Sequence, residues 1–298
     1  MNTLNTSPKK PKWIKVKGSC SSKLSELKQL LRKHQLHTVC ESAACPNIAE
    51  CFGHGTATFL IMGNTCTRNC SFCNIKHGKP KPLDPDEPTN LANAIQQMQL
   101  RYVVITSVTR DDLADGGAAH YVACMHAISK LCQEIKIEIL VPDFHNCQDL
   151  ALSTFKLIQP YVFNHNIETV PRLYREIRPG AKYTTSLALL NRFKALYPNV
   201  ITKSGLMLGL GETTEEIKEV LLDLRKNNCD MLTLEQYLQP SSDNIAVTRY
   251  MTPEEFTILG EYAKSIGFKN VASAPLVRPS YLAELQVKDC VGNAHEIT

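Results

Sequence analysis

Cys40, Cys45 and Cys51 are spaced C-x4-C-x5-C, and Cys66, Cys70 and Cys73 are spaced C-x3-C-x2-C. Three thiolates gathered by short loops hold iron and sulfide well, and they leave one corner of a four-iron cube without a cysteine. An open corner is where chemistry can take place. A zinc site or scattered core thiols are the plainer readings. Zinc, however, wants a fourth Cys or His at paired spacing, and neither triplet offers one locally. Iron–sulfur chemistry is therefore the expectation. The other cysteines (Cys20, Cys124, Cys132, Cys147, Cys229 and Cys290) lack ligand spacing and read as core or incidental thiols.

Such sites must be positioned by a fold, and the chain has the length for one. Its 298 residues are 43% hydrophobic, enough for a barrel-sized core. No run reaches the length of a membrane-spanning helix. The N-terminus lacks the apolar stretch of a secretory signal. Twelve cysteines in such a chain suit a reducing compartment, so a cytoplasmic location is expected. Charge is uneven. Residues 1–35 carry nine Lys or Arg against Glu26 alone, whereas the remainder is net acidic. This arm reads as a solvated tail or as a dock for an acidic partner. Aromatics are not interleaved with the lysines beyond Trp13, which argues against nucleic acid.

Short β-branched, nearly continuous apolar runs alternate with helical patterns. Strands are expected at Ala57–Met62, Tyr102–Val108, Ile135–Val141, Val162–Ile167, Ile201–Leu208 and Met231–Leu238, with a shorter one near Asn270–Ala274. Helices are expected at Thr89–Met98, with Thr89 as N-cap, and at Ala118–Gln133, Asp149–Ile158, Thr184–Leu196, Thr214–Asn227 and Pro253–Ile266. Thr213 with Glu216 has the capping-box spacing, and Thr252 before Pro253 is a further helix start. The pattern predicts a partial (β/α) barrel of six to seven parallel strands over residues 56–298, preceded by an extension over residues 1–55. Chemistry in such folds sits at the C-terminal ends of strands, where Cys66 begins four residues after Met62. Other strand ends are polar too. Asn164, Asn166 and Glu168 alternate along one strand and share a face, leaving His165 and Ile167 toward the helices. The Gly209-Leu-Gly211-Glu212 segment lacks the Lys and Ser/Thr of a phosphate loop and reads as a turn. Arg110, Asp111 and Asp112 read as hydrogen-bonding structure rather than a catalytic carboxylate pair.

The loop Cys66-Thr-Arg-Asn-Cys70-Ser-Phe72-Cys73, placed after the first strand, resembles the signature of the radical S-adenosylmethionine superfamily. The resemblance implies that these three cysteines hold a [4Fe–4S] cluster whose open iron chelates S-adenosylmethionine, the source of a 5′-deoxyadenosyl radical. Phe72 matches the superfamily's aromatic beside that cofactor, with loop packing as its plainer role. Asn164, Asn166 and Glu168 then become candidates to bind the cofactor or substrate.

The upstream triplet is similar to that of the lipoyl synthase family within this superfamily. So are Lys12–Lys15, Ile105–His120, Val141–Phe144, Phe163–Leu173, Lys203–Thr213 and Gln236–Ser241. This likeness runs from about residue 11 to the C-terminus. It implies that Cys40, Cys45 and Cys51 bind a second [4Fe–4S] cluster, which donates sulfur and takes a further ligand from a tail serine. The family's Arg-Ser-Ser-Tyr tail corresponds to Arg278-Pro279-Ser280-Tyr281, so Ser280 is the matching ligand. Pro279 and Glu235 depart from the family's serine and glycine. The implied reaction inserts two sulfurs, at carbons six and eight of an octanoyl group on a carrier-protein lysine. The implied carriers are E2 subunits of 2-oxoacid dehydrogenases and the glycine cleavage H protein. A flavodoxin or ferredoxin as electron donor and an iron–sulfur cluster carrier are implied as well. Biotin-synthase-like and methylthiolating enzymes place their extra ligands differently. A non-catalytic iron–sulfur carrier would leave the polar strand ends without a purpose.

Overall fold

The computed structural model describes residues 7–14, 29, 31–32, 36–39 and 56–292. Its strands are β1 (His37–Thr38), β2 (Thr56–Ile61), β3 (Thr65–Cys66), β4 (Lys76–His77), β5 (Tyr102–Ser107), β6 (Lys136–Leu140), β7 (Val162–Asn164), β8 (Ile201–Leu208), β9 (Met231–Gln236) and β10 (Asn270–Ser273). Its helices are α1 (Glu87–Gln97), α2 (Ala118–Leu131), α3 (Gln148–Thr154), α4 (Tyr174–Ile177), α5 (Tyr183–Leu196), α6 (Thr214–Lys226), α7 (Pro253–Ser265) and α8 (Ala283–Gly292).

Eight strands form one sheet in the order β1-β2-β5-β6-β7-β8-β9-β10. Seven run parallel, and β1 pairs antiparallel with β2. Among the described residues β10 pairs only with β9, so the sheet is an open, partial barrel, as the alternation of strands and helices predicts.

Each strand divides its side chains between two faces. Val103, Ile105, Ile139, Phe163, Leu206 and Leu232 join the main core with the helices, where Phe163 stacks on Phe193 of α5 at 3.6 Å between ring centroids. On the opposite, inner face Tyr102, Val104, Val162 and Met231 form a second apolar cluster with Ala283 and Val287 of α8. The inner face is otherwise polar. Glu138 accepts from Tyr102 Oη at 2.8 Å, Asn164 Nδ2 at 3.1 Å and Lys203 Nζ at 3.1 Å. These four side chains are fully buried, and the buried ion pair persists because each charge meets several partners.

Both capping signals hold: Thr213 with Glu216 and Thr252 with Glu255 form reciprocal capping boxes. Several boundaries differ from expectation. Helix α1 starts at Glu87 with Asp86 as N-cap, because Pro88 suits the first turn of a helix, so Thr89 is not the cap. Helix α3 ends at Thr154 rather than Ile158. Strand β7 ends at Asn164, after which only an isolated Glu168–Leu206 bridge continues the pairing. No helix among the described residues is long and apolar enough to cross a membrane.

Candidate active site

The cysteine loop leaves the sheet at the C-terminal end of β2. Met62 and Gly63 take left-handed φ values of 66° and 84°, which turn the chain outward. The Met62 N–H donates to Glu87 Oε2 at 2.9 Å, and that oxygen also meets His120 Nε2 at 2.6 Å. Helices α1 and α2 thus anchor the exit. Strands β3 and β4 close the loop as a two-residue parallel ladder, with the Gly78 N–H on the Cys66 carbonyl at 2.9 Å.

The far side of the loop is held by other elements. Ser71 N–H donates to Ile177 of α4 at 3.1 Å. Asn244 Nδ2 donates to the carbonyls of Ser71 and Cys73 at 3.3 and 2.9 Å. Cys66 Sγ accepts the N–H groups of Arg68 and Thr109 at 3.4 and 3.3 Å.

The donor set suits a multi-iron body. Burial pushes the Cys70 thiol up to about 12, an effect that Arg178 opposes and that the charges of Cys73, Cys66 and Glu168 increase. Burial likewise pushes Cys73 up to about 11, against a hydrogen bond at the Ile75 backbone and with Cys66 and Glu168 adding to the rise. These thiols feel one another, and only strong local positive charge keeps such a group ionised. Four thiolates around one zinc would sit about 3.8 Å apart. Among the described residues no three His, Cys, Asp or Glu close on a single metal ion.

Asn164 and Asn166 reach the inner face. Both are buried, and their Oδ1 atoms have no hydrogen-bond partner among the described residues. Position 205 must be glycine for this arrangement. A Cβ there would lie 2.5 Å from Thr233 Oγ1 and 3.0 Å from Asn166 Oδ1. Glu168 takes a left-handed φ of 68°, an uncommon state for a non-glycine residue that points to a constrained site. Burial pushes its carboxyl above the usual range, opposed by Arg178 and by a hydrogen bond to Asn166. His165 faces the helices, with Nδ1 on the Val141 carbonyl at 2.8 Å and Nε2 on Ser186 of α5 at 2.9 Å.

Two arginines and an aspartate join this site without a sequence signal of their own. Arg68, inside the cysteine loop, binds both oxygens of Asp111 at 2.8 Å and reaches Asp143 at 2.7 Å. Burial would raise the Asp143 carboxyl, but Arg68 outweighs that and holds it below the usual range. Arg178 is buried and donates to the Asn166 carbonyl at 3.0 Å while its charge acts on Cys70, Glu168 and Asp143. Their distance along the chain hides them, although Arg68 lies between two cysteines. Arg110 pairs with Asp112 at 2.8 Å, so that segment is hydrogen-bonding structure. The Gly209 and Leu210 N–H groups both donate to Glu212, making the expected turn after β8. Phe72 is partly buried against the main core. Cys40, Cys45 and Cys51 lie outside the described residues.

The tail that carries Ser280 crosses the inner face at the preceding residue. Lys203 Nζ donates to the Pro279 carbonyl at 2.6 Å, and Arg278 Nη1 lies 3.2 Å from Glu235 Oε2. Ala283 and Val287 then bury themselves beneath Tyr102 and Met231.

Residues 60–224 match the model of the Radical SAM superfamily. A lipoyl synthase of Coxiella burnetii (strain Dugway 5J108-111) is 59% identical over 284 residues, covering 95% of this chain and 90% of that protein. The chain belongs to the lipoyl synthase family. A lipoyl synthase of Hahella chejuensis (strain KCTC 2396) is 58% identical, covering 94% of this chain and 84% of that one. Among solved structures, methylornithine synthase superposes with a TM-score of 0.55 at 15% identity, over 83% of this chain and 74% of that one. That likeness speaks for the fold alone. As a radical S-adenosylmethionine enzyme of the lipoyl synthase family, the protein uses S-adenosylmethionine and [4Fe–4S] clusters and acts on a lipoyl-carrier protein.

Proposed function

We propose that the protein inserts two sulfur atoms, at carbons six and eight of an octanoyl group amide-linked to a carrier lysine. Cys66, Cys70 and Cys73 hold the cluster that binds S-adenosylmethionine. Cys40, Cys45 and Cys51, in the extension over residues 1–55, hold the auxiliary cluster with Ser280. The observation that supports this reading is the electrostatic coupling of Cys66, Cys70 and Cys73 in the loop after β2, together with a tail whose Pro279 carbonyl, next to Ser280, meets Lys203 on the inner face. When bound, these groups supply a carbon-centred radical able to break an unactivated C–H bond, and the sulfur that replaces the hydrogen.

The chain's own residues provide enclosure and orientation. Asn164 and Asn166 line the inner face with buried Oδ1 atoms that have no partner among the described residues, and these with the Glu168 carboxylate are acceptors for the amino and hydroxyl groups of S-adenosylmethionine. Phe72 packs beside that cofactor. Burial of this face excludes the water and stray hydrogen donors that would quench a primary radical. Arg68 and Arg178 fix the loop and place positive charge beside its thiolates.

Anaerobic reconstitution tests the whole reading. About eight irons per chain are expected, as two four-iron clusters require. Mass spectrometry of an octanoyl-lysyl peptide is expected to show a dithiolated product. Four irons, or no sulfur gained by the peptide, would contradict it.

E2 subunits and the H protein are the proposed carriers. Flavodoxin or ferredoxin is the proposed reductant, an iron–sulfur carrier restores the auxiliary cluster, and the cytoplasm is the proposed location. The described part of the N-terminal arm supports an acidic carrier. Ser7 Oγ donates to Gln239 Oε1 at 2.6 Å and accepts the Val247 N–H at 2.9 Å, which fastens the arm near the strand ends while Lys9, Lys10 and Lys12 stay exposed. Neutralising these three lysines is expected to weaken carrier binding and flatten its salt dependence, measured by titration between low and physiological ionic strength. Unchanged affinity would remove the arm from the docking surface.

A further inference from the structure

Arg278 lies where two unusual features of the chain meet. Pro279 follows it and has no N–H, so the tail cannot be secured there by a backbone donor. Glu235, at the C-terminal end of β9, reaches it from below. Arg278 Nη1 lies 3.2 Å from Glu235 Oε2, 2.7 Å from the Val277 carbonyl and 3.5 Å from the Gln236 carbonyl. The Glu235 side chain is 11% exposed and that of Arg278 is 20% exposed. A pair this sheltered from water is screened much less than a surface ion pair.

The next residue is fixed from the other side. The Pro279 carbonyl takes Lys203 Nζ at 2.6 Å, and Lys203 is itself held by Glu138 at 3.1 Å. The tail therefore crosses the inner face between two charge pairs, one on β9 and one spanning β6 and β8. Ser280 is the first residue after both. Beyond it the Ala283 N–H donates to the Ser280 carbonyl at 3.4 Å, and Gln286 Nε2 donates to the Tyr281 carbonyl at 2.7 Å. The side chain of Ser280 makes none of these bonds. Its direction is set by the backbone on either side.

We propose that Glu235 is a positioning residue for Ser280. Its carboxylate clamps Arg278, which orients the Pro279 carbonyl toward Lys203 and presents the Ser280 hydroxyl to the auxiliary cluster. The restraint that the missing Pro279 N–H cannot give comes instead from the Glu235 side chain. This rests on the reading of Ser280 as a ligand. Glu235 acts on Ser280 through Arg278 rather than by contact with cofactor or substrate.

The test uses the full chain, reconstituted with iron-57 and sulfide, as wild type and as Glu235→Gln, Glu235→Asp and Ser280→Ala. Glu235→Gln keeps the shape and removes the charge. It is expected to retain reductive cleavage of S-adenosylmethionine to 5′-deoxyadenosine, which reports an intact fold and cysteine loop. It is expected to lower the dithiolated product about ten-fold or more, the scale of one lost hydrogen bond to a charged group. Its Mössbauer spectrum is expected to move toward that of Ser280→Ala, since both lose the oxygen-ligated iron. Glu235→Asp, which retains the charge, is expected to recover most of the product. Wild-type product and spectrum in Glu235→Gln, beside their loss in Ser280→Ala, would overturn the proposal and leave the ligand reading standing. Wild-type behaviour of Ser280→Ala would overturn both. Loss of S-adenosylmethionine cleavage in Glu235→Gln would also overturn it, because the effect would then lie in the fold.

Discussion

Replacing any one of Cys66, Cys70 and Cys73 by alanine is expected to abolish cleavage of S-adenosylmethionine, and lipoyl product with it. The three thiols are unequal in surroundings but not replaceable by one another. Cys66 sits on a strand and takes two backbone N–H bonds, from Arg68 and Thr109. Cys70 lies under the influence of Arg178, and the Cys73 N–H donates to the Cys70 carbonyl at 3.1 Å. No fourth thiol in the loop can step in, and Ser71, which occupies the gap, is committed to the Glu176 carbonyl at 2.9 Å. The measurement is 5′-deoxyadenosine formation under strong reduction, with iron counted on the same sample. A variant that loses one cluster's worth of iron and all cleavage fits the assignment. A variant that cleaves at wild-type rate would remove that cysteine from the ligand set. The fold is expected to survive, because these residues are only partly buried and the loop is tied down by Arg68, Ser71 and Gly78.

Ser280→Ala is expected to divide the reaction in two. Cleavage of S-adenosylmethionine continues, because the cysteine loop stands at the C-terminal end of β2 and is held by Ile177 and Asn244 rather than by the tail. Lipoyl product is expected to fall to near nothing, because the proposed oxygen ligand of the auxiliary cluster is removed. A hydroxyl or alkoxide is a harder and weaker iron ligand than a thiolate. That suits a cluster from which sulfur must leave. Ser280→Cys is informative for the same reason: a firmer ligand is expected to keep the iron and still lower turnover. The readouts are 5′-deoxyadenosine and dithiolated peptide quantified together. Normal product yield in Ser280→Ala would withdraw the ligand role. The substitution leaves the tail's anchors in place, since Ala283 and Val287 remain buried and burying one such valine contributes about 1.5–3 kcal/mol.

The cysteine spacing, the alternation of apolar strands with helices and the two capping boxes were all legible from the chain alone. Each is a local property, set by residues within a few positions of one another. The shared face of Asn164 and Asn166 was legible too, but β7 ends at Asn164 and Glu168 takes a left-handed φ of 68°, so strand alternation does not set its place. The C-terminal helix α8 was not legible. Its helical pattern is weak, and its place is decided by the apolar cluster that Ala283 and Val287 make with strands far away in sequence. The early start of α1 came from Pro88, whose fixed φ suits a first turn better than Thr89 suits a cap.

The largest gap between sequence and structure lies in the charges. Sequence alone set the chemistry available: thiols at cluster spacing, a serine in the tail, carboxamides and a carboxylate on one strand face. It could not say that Arg68 would bind Asp111 and Asp143, that Arg178 would act on Cys70, or that Glu235 and Lys203 would grip the two residues before Ser280. Those partners stand tens of residues apart and meet only because parallel strands bring their ends to one place. Spacing encodes what a short loop can bind, whereas electrostatic partnership depends on distance in space, and only the folded parallel sheet sets that distance.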